Sequence, residues 1–152
     1  MAILTKGNLA PDFKGLNQLG KEISLSSFRG KKVILYFYPK DNTPGCTAEA
    51  CDLNNNYEMW LSMGYEIIGV SPDSVVSHLK FAGKFGLNFN LIADTGLEIL
   101  KDFGVWGEKS MYGKTYMGVL RTTFVLDENG IIVDVFEKVN TKEHTKQILG
   151  TV

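Results

Sequence analysis

The sequence is sparing with the residues that usually announce a function. Of its 152 residues only two are cysteine (Cys46 and Cys51), two are histidine (His78 and His144), two are arginine (Arg29 and Arg121) and four are proline. Two cysteines cannot build the disulfide framework of a small secreted scaffold. A chain of this length needs none, because it buries roughly 70% of its unfolded surface. Sixteen Lys and Arg against 17 Asp and Glu leave a net charge of -1. That balance excludes a strongly basic nucleic-acid surface and a polybasic membrane anchor. No apolar run approaches the ~20 residues of a membrane span. The stretch from Met1 to Pro11 lacks the cationic segment and following apolar run of a secretory signal. The expected location is therefore the cytosol, where a cysteine pair is catalytic, redox-sensing or metal-binding more often than structural. There is no internal repeat, low-complexity tract or Pro/Ser-rich linker, so one domain over residues 1–152 is expected.

What is present is a regular alternation of apolar segments. Residues 13–18 and 21–25 flank Leu19-Gly20 and predict an N-terminal β-hairpin. Val33 to Tyr38 is an unbroken apolar run ending at Pro39, the pattern of a strand buried on both faces. Leu53, Tyr57, Trp60 and Leu61 fall at helical spacing and predict one helix ending at Gly64. A strand over 65–70, a helix marked by Val75, Leu79 and Ala82, a strand over 89–93 and a helix over 97–103 follow. Residues 105–118 have the character of a loop, with Gly107, Gly113 and Gly118. Strands over 122–126 and 131–136 flank the turn Asp127-Glu-Asn-Gly130, and Thr141 is placed to cap a last helix running to Leu149. The order β-β-β-α-β-α-β-α-β-β-α argues an α/β fold, a mixed central sheet covered on both faces, as in thioredoxin-like folds.

The cysteines lie in Pro39-Lys-Asp-Asn-Thr43-Pro-Gly-Cys46-Thr-Ala-Glu49-Ala-Cys51. Pro44 suits the first helical position and Thr43 the N-cap before it. Cys46 is then the third helical residue, beside unpaired N–H groups and the positive end of the helix dipole, features that stabilise a thiolate nucleophile. In a helix, residues five apart lie ~8.7 Å apart at Cα and ~140° apart around the axis. A disulfide needs about 4.4–6.8 Å. A bond between the two requires the helix start to unwind, and Gly45, Asp52, Asn54, Asn55 and Asn56 are poor helix formers. These residues alone leave open an inert core pair, a regulatory redox switch and a thiol–disulfide oxidoreductase. The last is disfavoured because the spacing is C-x₄-C rather than C-x-x-C, and zinc is disfavoured because His78 and His144 lack ligand spacing.

The segment Pro39-x₃-Thr43-x₂-Cys46 is similar to the active-site motif of peroxiredoxins. The longer stretch from Tyr36 to Cys51 resembles the bacterioferritin comigratory protein, or peroxiredoxin Q, subfamily. The likeness continues through residues 69–74, 104–114 and 117–124 and spans nearly the whole chain. The resemblance implies a thioredoxin fold and an antioxidant thiol peroxidase that reduces hydrogen peroxide and organic hydroperoxides. It implies that Cys46 is the peroxidatic cysteine, that Cys51 resolves it in an intramolecular disulfide, and that Thr43 and Arg121 complete the site. Glu49 corresponds to an acidic residue that orients the arginine, and Tyr38 to a position whose hydroxyl lines the pocket. Pro39 belongs to the motif. Thioredoxin, or alternatively glutaredoxin, is the implied reductant, with no flavin, haem or metal and no need for a second subunit, so that a monomer is expected. One departure is Asn90, where the subfamily usually carries proline.

In that reading the Arg121 guanidinium, the helix-start N–H groups and the Thr43 hydroxyl donate to the oxygen that leaves as the O–O bond breaks. Thr43 also has a plain capping role, and Glu49 a plain role as an acidic first-turn residue. Trp60 and Trp106 are expected to be packing residues, and His78 and His144 surface helix residues.

Overall fold

A computed structural model describes residues 4–150; the outermost residues of the expected 1–152 domain lie outside that range. A seven-stranded mixed sheet forms the centre, in the order β2-β1-β5-β4-β3-β8-β9. Its strands are β1 (Lys14–Leu16), β2 (Glu22–Ser24), β3 (Lys32–Phe37), β4 (Tyr65–Ser71), β5 (Asn90–Ala93), β8 (Thr122–Leu126) and β9 (Ile132–Phe136). A separate hairpin pairs β6 (Trp106–Met111) with β7 (Lys114–Val119). The helices are α1 (Pro44–Asn55), α2 (Tyr57–Ser62), α3 (Val75–Phe85), α4 (Glu98–Asp102) and α5 (His144–Leu149). The expected N-terminal hairpin is present as β1 and β2.

The continuous apolar run of β3 is explained by its position. It pairs parallel with β4 on one side and antiparallel with β8 on the other. Successive side chains of a strand point to opposite faces, and here both faces are filled. Val33, Leu35 and Phe37 enter one core with Phe103 and Phe124. Ile34, Tyr36 and Tyr38 enter the other with Cys46, Leu53, Trp60, Phe81 and Phe89. Gly69 lies opposite Tyr36, and a Cβ there would stand 2.8 Å from the Tyr36 ring. The glycine in this buried strand thus makes room for the tyrosine.

Several expectations are corrected. Residues 105–118 are mostly hairpin: the turn Tyr112-Gly113 has two positive φ values, 52° and 76°, which suits the right-handed twist of a two-residue connection. Its strands are largely exposed and polar, so no hydrophobic alternation marks them. The single helix expected from Leu53 to Leu61 is two, broken at Asn56 (φ -110°, ψ 12°), whose side-chain amide donates to the Asp52 carbonyl at 2.8 Å. In α3 the buried stripe is His78, Phe81 and Ala82, and Leu79 is exposed. Thr141 does not cap the last helix, which starts after Glu143. His78 and His144 are both fully buried rather than on the surface, because each sits on the apolar stripe of its helix, His144 one turn from Ile148. Trp60 is buried as expected, and Trp106 packs on the first core. Asn90 opens β5 and accepts a hydrogen bond from the Asn17 amide at 2.9 Å, the work of a side chain that proline lacks.

Candidate active site

The site grows from the end of β3. After Phe37 the chain passes through Pro39 and turns at Asn42, whose φ is 60°. Thr43 is extended (φ -96°, ψ 157°), and Pro44 begins α1. The Thr43 carbonyl accepts the first helical bond from the Thr47 N–H at 2.8 Å. Its hydroxyl, contrary to expectation, does not cap. It donates to the Lys40 carbonyl at 2.8 Å, because the turn at Asn42 carries that carbonyl back over the helix start. The hydroxyl proton is thereby committed, and only the Oγ1 lone pairs are left to meet a substrate.

Cys46 occupies the third helical position and is buried. Arg121 comes from the link between β7 and β8. Its Nη2 donates to Cys46 Sγ at 3.1 Å and its Nη1 to Glu49 Oε1 at 2.7 Å. Glu49 and Cys46 are three apart and share a face of α1, so one guanidinium spans both. Gly45 lies alongside, where a Cβ would stand in ordinary contact, 3.4 Å from Nη2. Burial works against the Arg121 charge, but Glu49 and Cys46 outweigh it and raise its pKa above the ordinary value. Burial also pushes Glu49 up to about 7, with the Arg121 charge and hydrogen bond only partly opposing it. The outer edge of Arg121 lines a cleft with Lys109, Leu120, Thr122 and Glu137. A buried sulfur faced by a fixed cation, at a helix start and beside an open cleft, suits a thiolate attack on a small electrophile.

Cys51 lies five residues on in the same helix, half-buried, its thiol raised in pKa by burial. Both thiols are free in this conformation.

Comparison with known proteins agrees with this geometry. The AhpC/TSA family matches residues 6–135. A putative peroxiredoxin bcp of Haemophilus influenzae is 45% identical over 146 residues, covering 96% of this chain and 94% of that protein. Peroxiredoxin Bcp of Bacillus subtilis is 42% identical over 146 residues, covering 96% and 93%. Among solved structures, a Xylella fastidiosa PrxQ mutant superposes with a TM-score of 0.92 at 30% identity, covering 99% of this chain and 96% of that one. The chain belongs to the AhpC/TSA family. Within it, the relatives place the chain in the Bcp/peroxiredoxin Q branch of thiol peroxidases.

The remaining residues can be placed on this peroxiredoxin frame. The Tyr38 hydroxyl, expected in the pocket, is spent elsewhere: it donates to Asp41 Oδ1 at 2.6 Å. Asp41 was not anticipated from the sequence. Its Oδ2 accepts from Ser77 at 2.8 Å and lies 2.7 Å from His78 Nδ1, while its N–H donates to Asp73 at 2.8 Å. His78 Nε2 lies 3.0 Å from the Ile92 carbonyl, which only accepts. Nε2 therefore donates to that carbonyl, and Nδ1 is paired with the Asp41 carboxyl. Burial opposes the Asp41 charge, but the bonds from His78, Tyr38 and Ser77 outweigh it and hold its pKa below the usual value. This pair pins the peroxiredoxin loop onto α3. His144, also unanticipated, reaches the site from α5, with Nε2 3.6 Å from Glu49 Oε2. The signal available for both histidines was their place on an apolar helical stripe. Among the described residues, no helix is long and apolar enough to cross a membrane.

Proposed function

We propose that Cys46 is the peroxidatic and Cys51 the resolving cysteine of a thioredoxin-dependent peroxidase acting on hydrogen peroxide and organic hydroperoxides. The observation that carries this reading is the Arg121 guanidinium held between Glu49 Oε1 (2.7 Å) and Cys46 Sγ (3.1 Å). The Cys46 thiolate attacks one peroxide oxygen; the S–O bond forms as the O–O bond breaks. The leaving oxygen takes up a proton and departs as water or an alcohol. Arg121 N–H groups face the developing charge, and Thr43 Oγ1 accepts from the peroxide O–H while its own O–H stays donated to the Lys40 carbonyl. Cys51 then attacks the resulting sulfenic acid, forming the disulfide and releasing water. A dithiol reduces that disulfide by exchange.

Helix geometry supports a conformational step between these stages. With α1 intact, the two Cα atoms are ~8.7 Å apart, outside disulfide range. The C-terminal half of α1 is tied down: Thr145 N–H donates to Asp52 at 2.7 Å, and the Asn54 amide donates to the Gly86 carbonyl at 2.9 Å. The N-terminal half is held through the Arg121 hydrogen bonds and by the packing of Cys46 and Ala50 in the second core. Unwinding from Thr43 to Cys51 brings the sulfurs together within one chain, so no second subunit is required. Organic hydroperoxides are supported by the Leu120 side of the cleft beside Arg121. Alkyl peroxide reduction is named for the Xanthomonas campestris bacterioferritin comigratory protein, which superposes with a TM-score of 0.87 at 34% identity.

The test is peroxide-dependent NADPH consumption with thioredoxin and its reductase. The wild-type chain is expected to turn over, Cys46→Ser to be inactive, and Cys51→Ser to oxidise once and stall. Absence of turnover with wild type would refute the peroxidase reading, and undiminished cycling by Cys51→Ser would refute the resolving role. Glutaredoxin in place of thioredoxin decides between the two reductants.

A further inference from the structure

Arg121 is one cation serving two groups that carry negative charge, and what happens to Glu49 decides how much of it reaches the sulfur. Glu49 is fully buried. Oε1 is taken by Arg121, but Oε2 has no hydrogen-bond partner; among the described residues only Tyr36 Oη shares that condition. A buried carboxylate with an orphaned oxygen is unfavourable unless that oxygen meets a proton. The nitrogen it faces is His144 Nε2, at 3.6 Å.

The tautomer of His144 follows from its surroundings. Gln147 donates from Nε2 to the Lys138 carbonyl at 2.8 Å and accepts the Asn140 N–H on Oε1 at 2.9 Å, so its amide orientation is fixed. Oε1 therefore faces His144 Nδ1, at 2.9 Å, and Nδ1 carries the proton. Nε2 meets the Thr123 hydroxyl at 2.8 Å, which donates to the bare nitrogen and accepts from a protonated one, and it lies 3.6 Å from Glu49 Oε2. A single added proton, at Glu49 Oε2 or at His144 Nε2, either neutralises the buried carboxylate or sets a cation beside it; without it, Oε2 is a bare anionic oxygen next to an uncharged ring.

We propose that His144 is a positioning residue of the peroxidase site: Glu49 and His144 share one proton, and its presence releases the Arg121 charge toward Cys46 Sγ. With the proton bound, the carboxylate no longer competes as a bare anion for the guanidinium. With the proton lost, Glu49 holds Arg121 more strongly and the sulfur receives less of it. The ionisable groups facing Glu49 are Cys46 and Asp52 on α1, Tyr36 on β3, Arg121 before β8 and His144 on α5. Asp52 acts in the same direction as burial, and Arg121 against both; burial in turn disfavours a charged His144.

This inference rests on the peroxidase reading, and its test separates the two. The second-order rate of Cys46 oxidation by hydrogen peroxide is measured from acid to alkaline pH in the full chain, in His144→Gln and in Glu49→Gln. A wild-type chain that fails to react refutes the peroxidase reading itself. With reaction established, the wild-type rate is expected to fall through a transition near neutrality, by about tenfold, less than the loss from deleting a direct donor. His144→Gln, which offers Glu49 a permanent amide donor, is expected to flatten that transition. Glu49→Gln is expected to abolish it, and the double variant to match Glu49→Gln alone. Profiles of the two single variants that match wild type overturn the proposal. Should the variants fail to fold, the unaltered protein decides: the His144 Nε2 nuclear resonance is expected to titrate at the midpoint of the rate, and a constant signal overturns the proposal.

Discussion

At the scale of the residue, the site works by placing groups where water would not leave them. Glu49 is a carboxyl held in the interior by one guanidinium, and its ionisation leaves a mark on stability. Its pKa is raised from 4.5 to about 7 in the folded state, burial being the chief cause. A folded-state value above the unfolded one means that its contribution to stability is full below about 4.5 and is lost as pH rises toward 7. The unfolding free energy of wild type minus that of Glu49→Gln is therefore expected to fall between pH 4.5 and 7 and to level off above. Urea titrations of the reduced proteins across that range check it; a difference that rises with pH would reverse the assignment. Cys46 was legible from its place at a helix start, whereas Thr43, Glu49 and Arg121 were expected at the site only because the motif resembles that of peroxiredoxins. Asp41, His78 and His144 were not legible, because isolated polar residues in a sequence carry no sign of who their partners are. Their partners come from elements remote in the chain: His78 lies 37 residues from Asp41.

At the scale of the element, α1 carries the mechanism in its uneven anchorage. Before it, the loop is pinned through Asp41 to α3; after Cys51, Asp52 and Asn54 tie it to α5 and to the end of α3. Between these ties the side-chain hydrogen bonds that reach α1 from another element come from Arg121, beside the packing of Cys46 and Ala50, and α1 itself contains Gly45, Asp52, Asn54 and Asn55, weak helix formers. Oxidation to the disulfide is expected to expose amides 45–51 to hydrogen exchange and to leave those of Leu53 to Asn55 largely protected. Equal exchange across residues 45–55 in the two redox states would refute local unwinding. The limits of sequence reading also belong to this scale. The buried strands were evident from unbroken apolar runs. The β6–β7 hairpin was not, because its pairing is made by backbone groups under exposed side chains, and a Tyr-Gly turn lacks the Asn-Gly or Asp-Gly signature.

For the whole molecule, the sheet order explains how residues 75 apart in sequence form one site. β8 runs antiparallel to β3, with Thr122 opposite Phe37, so the chain enters β8 where it leaves β3. Arg121 thus arrives beside the start of α1 by register. β4 and β5 run parallel to β3 on its other side, and the segment after β4 supplies Asp73 and α3 to hold the loop. The Asp41–His78 pair joins these halves, and it is buried (side chains 4% and 0% exposed). Asp41→Asn removes the carboxyl that His78, Tyr38 and Ser77 share, a loss of about 1–3 kcal/mol for the buried groups left without a full partner. Because the Asp41 pKa is lowered from 3.8, its contribution is present above that value and is lost as pH falls through the lower folded-state one. The stability gap between wild type and Asp41→Asn is therefore expected to close as pH falls below about 4. Peroxide reactivity of the variant is expected to drop even under conditions where it is fully folded, since Thr43 loses the support of its loop. Unfolding curves paired with single-turnover oxidation check both halves, and a folded variant that oxidises at the wild-type rate would show that the pin stabilises the fold without positioning the site.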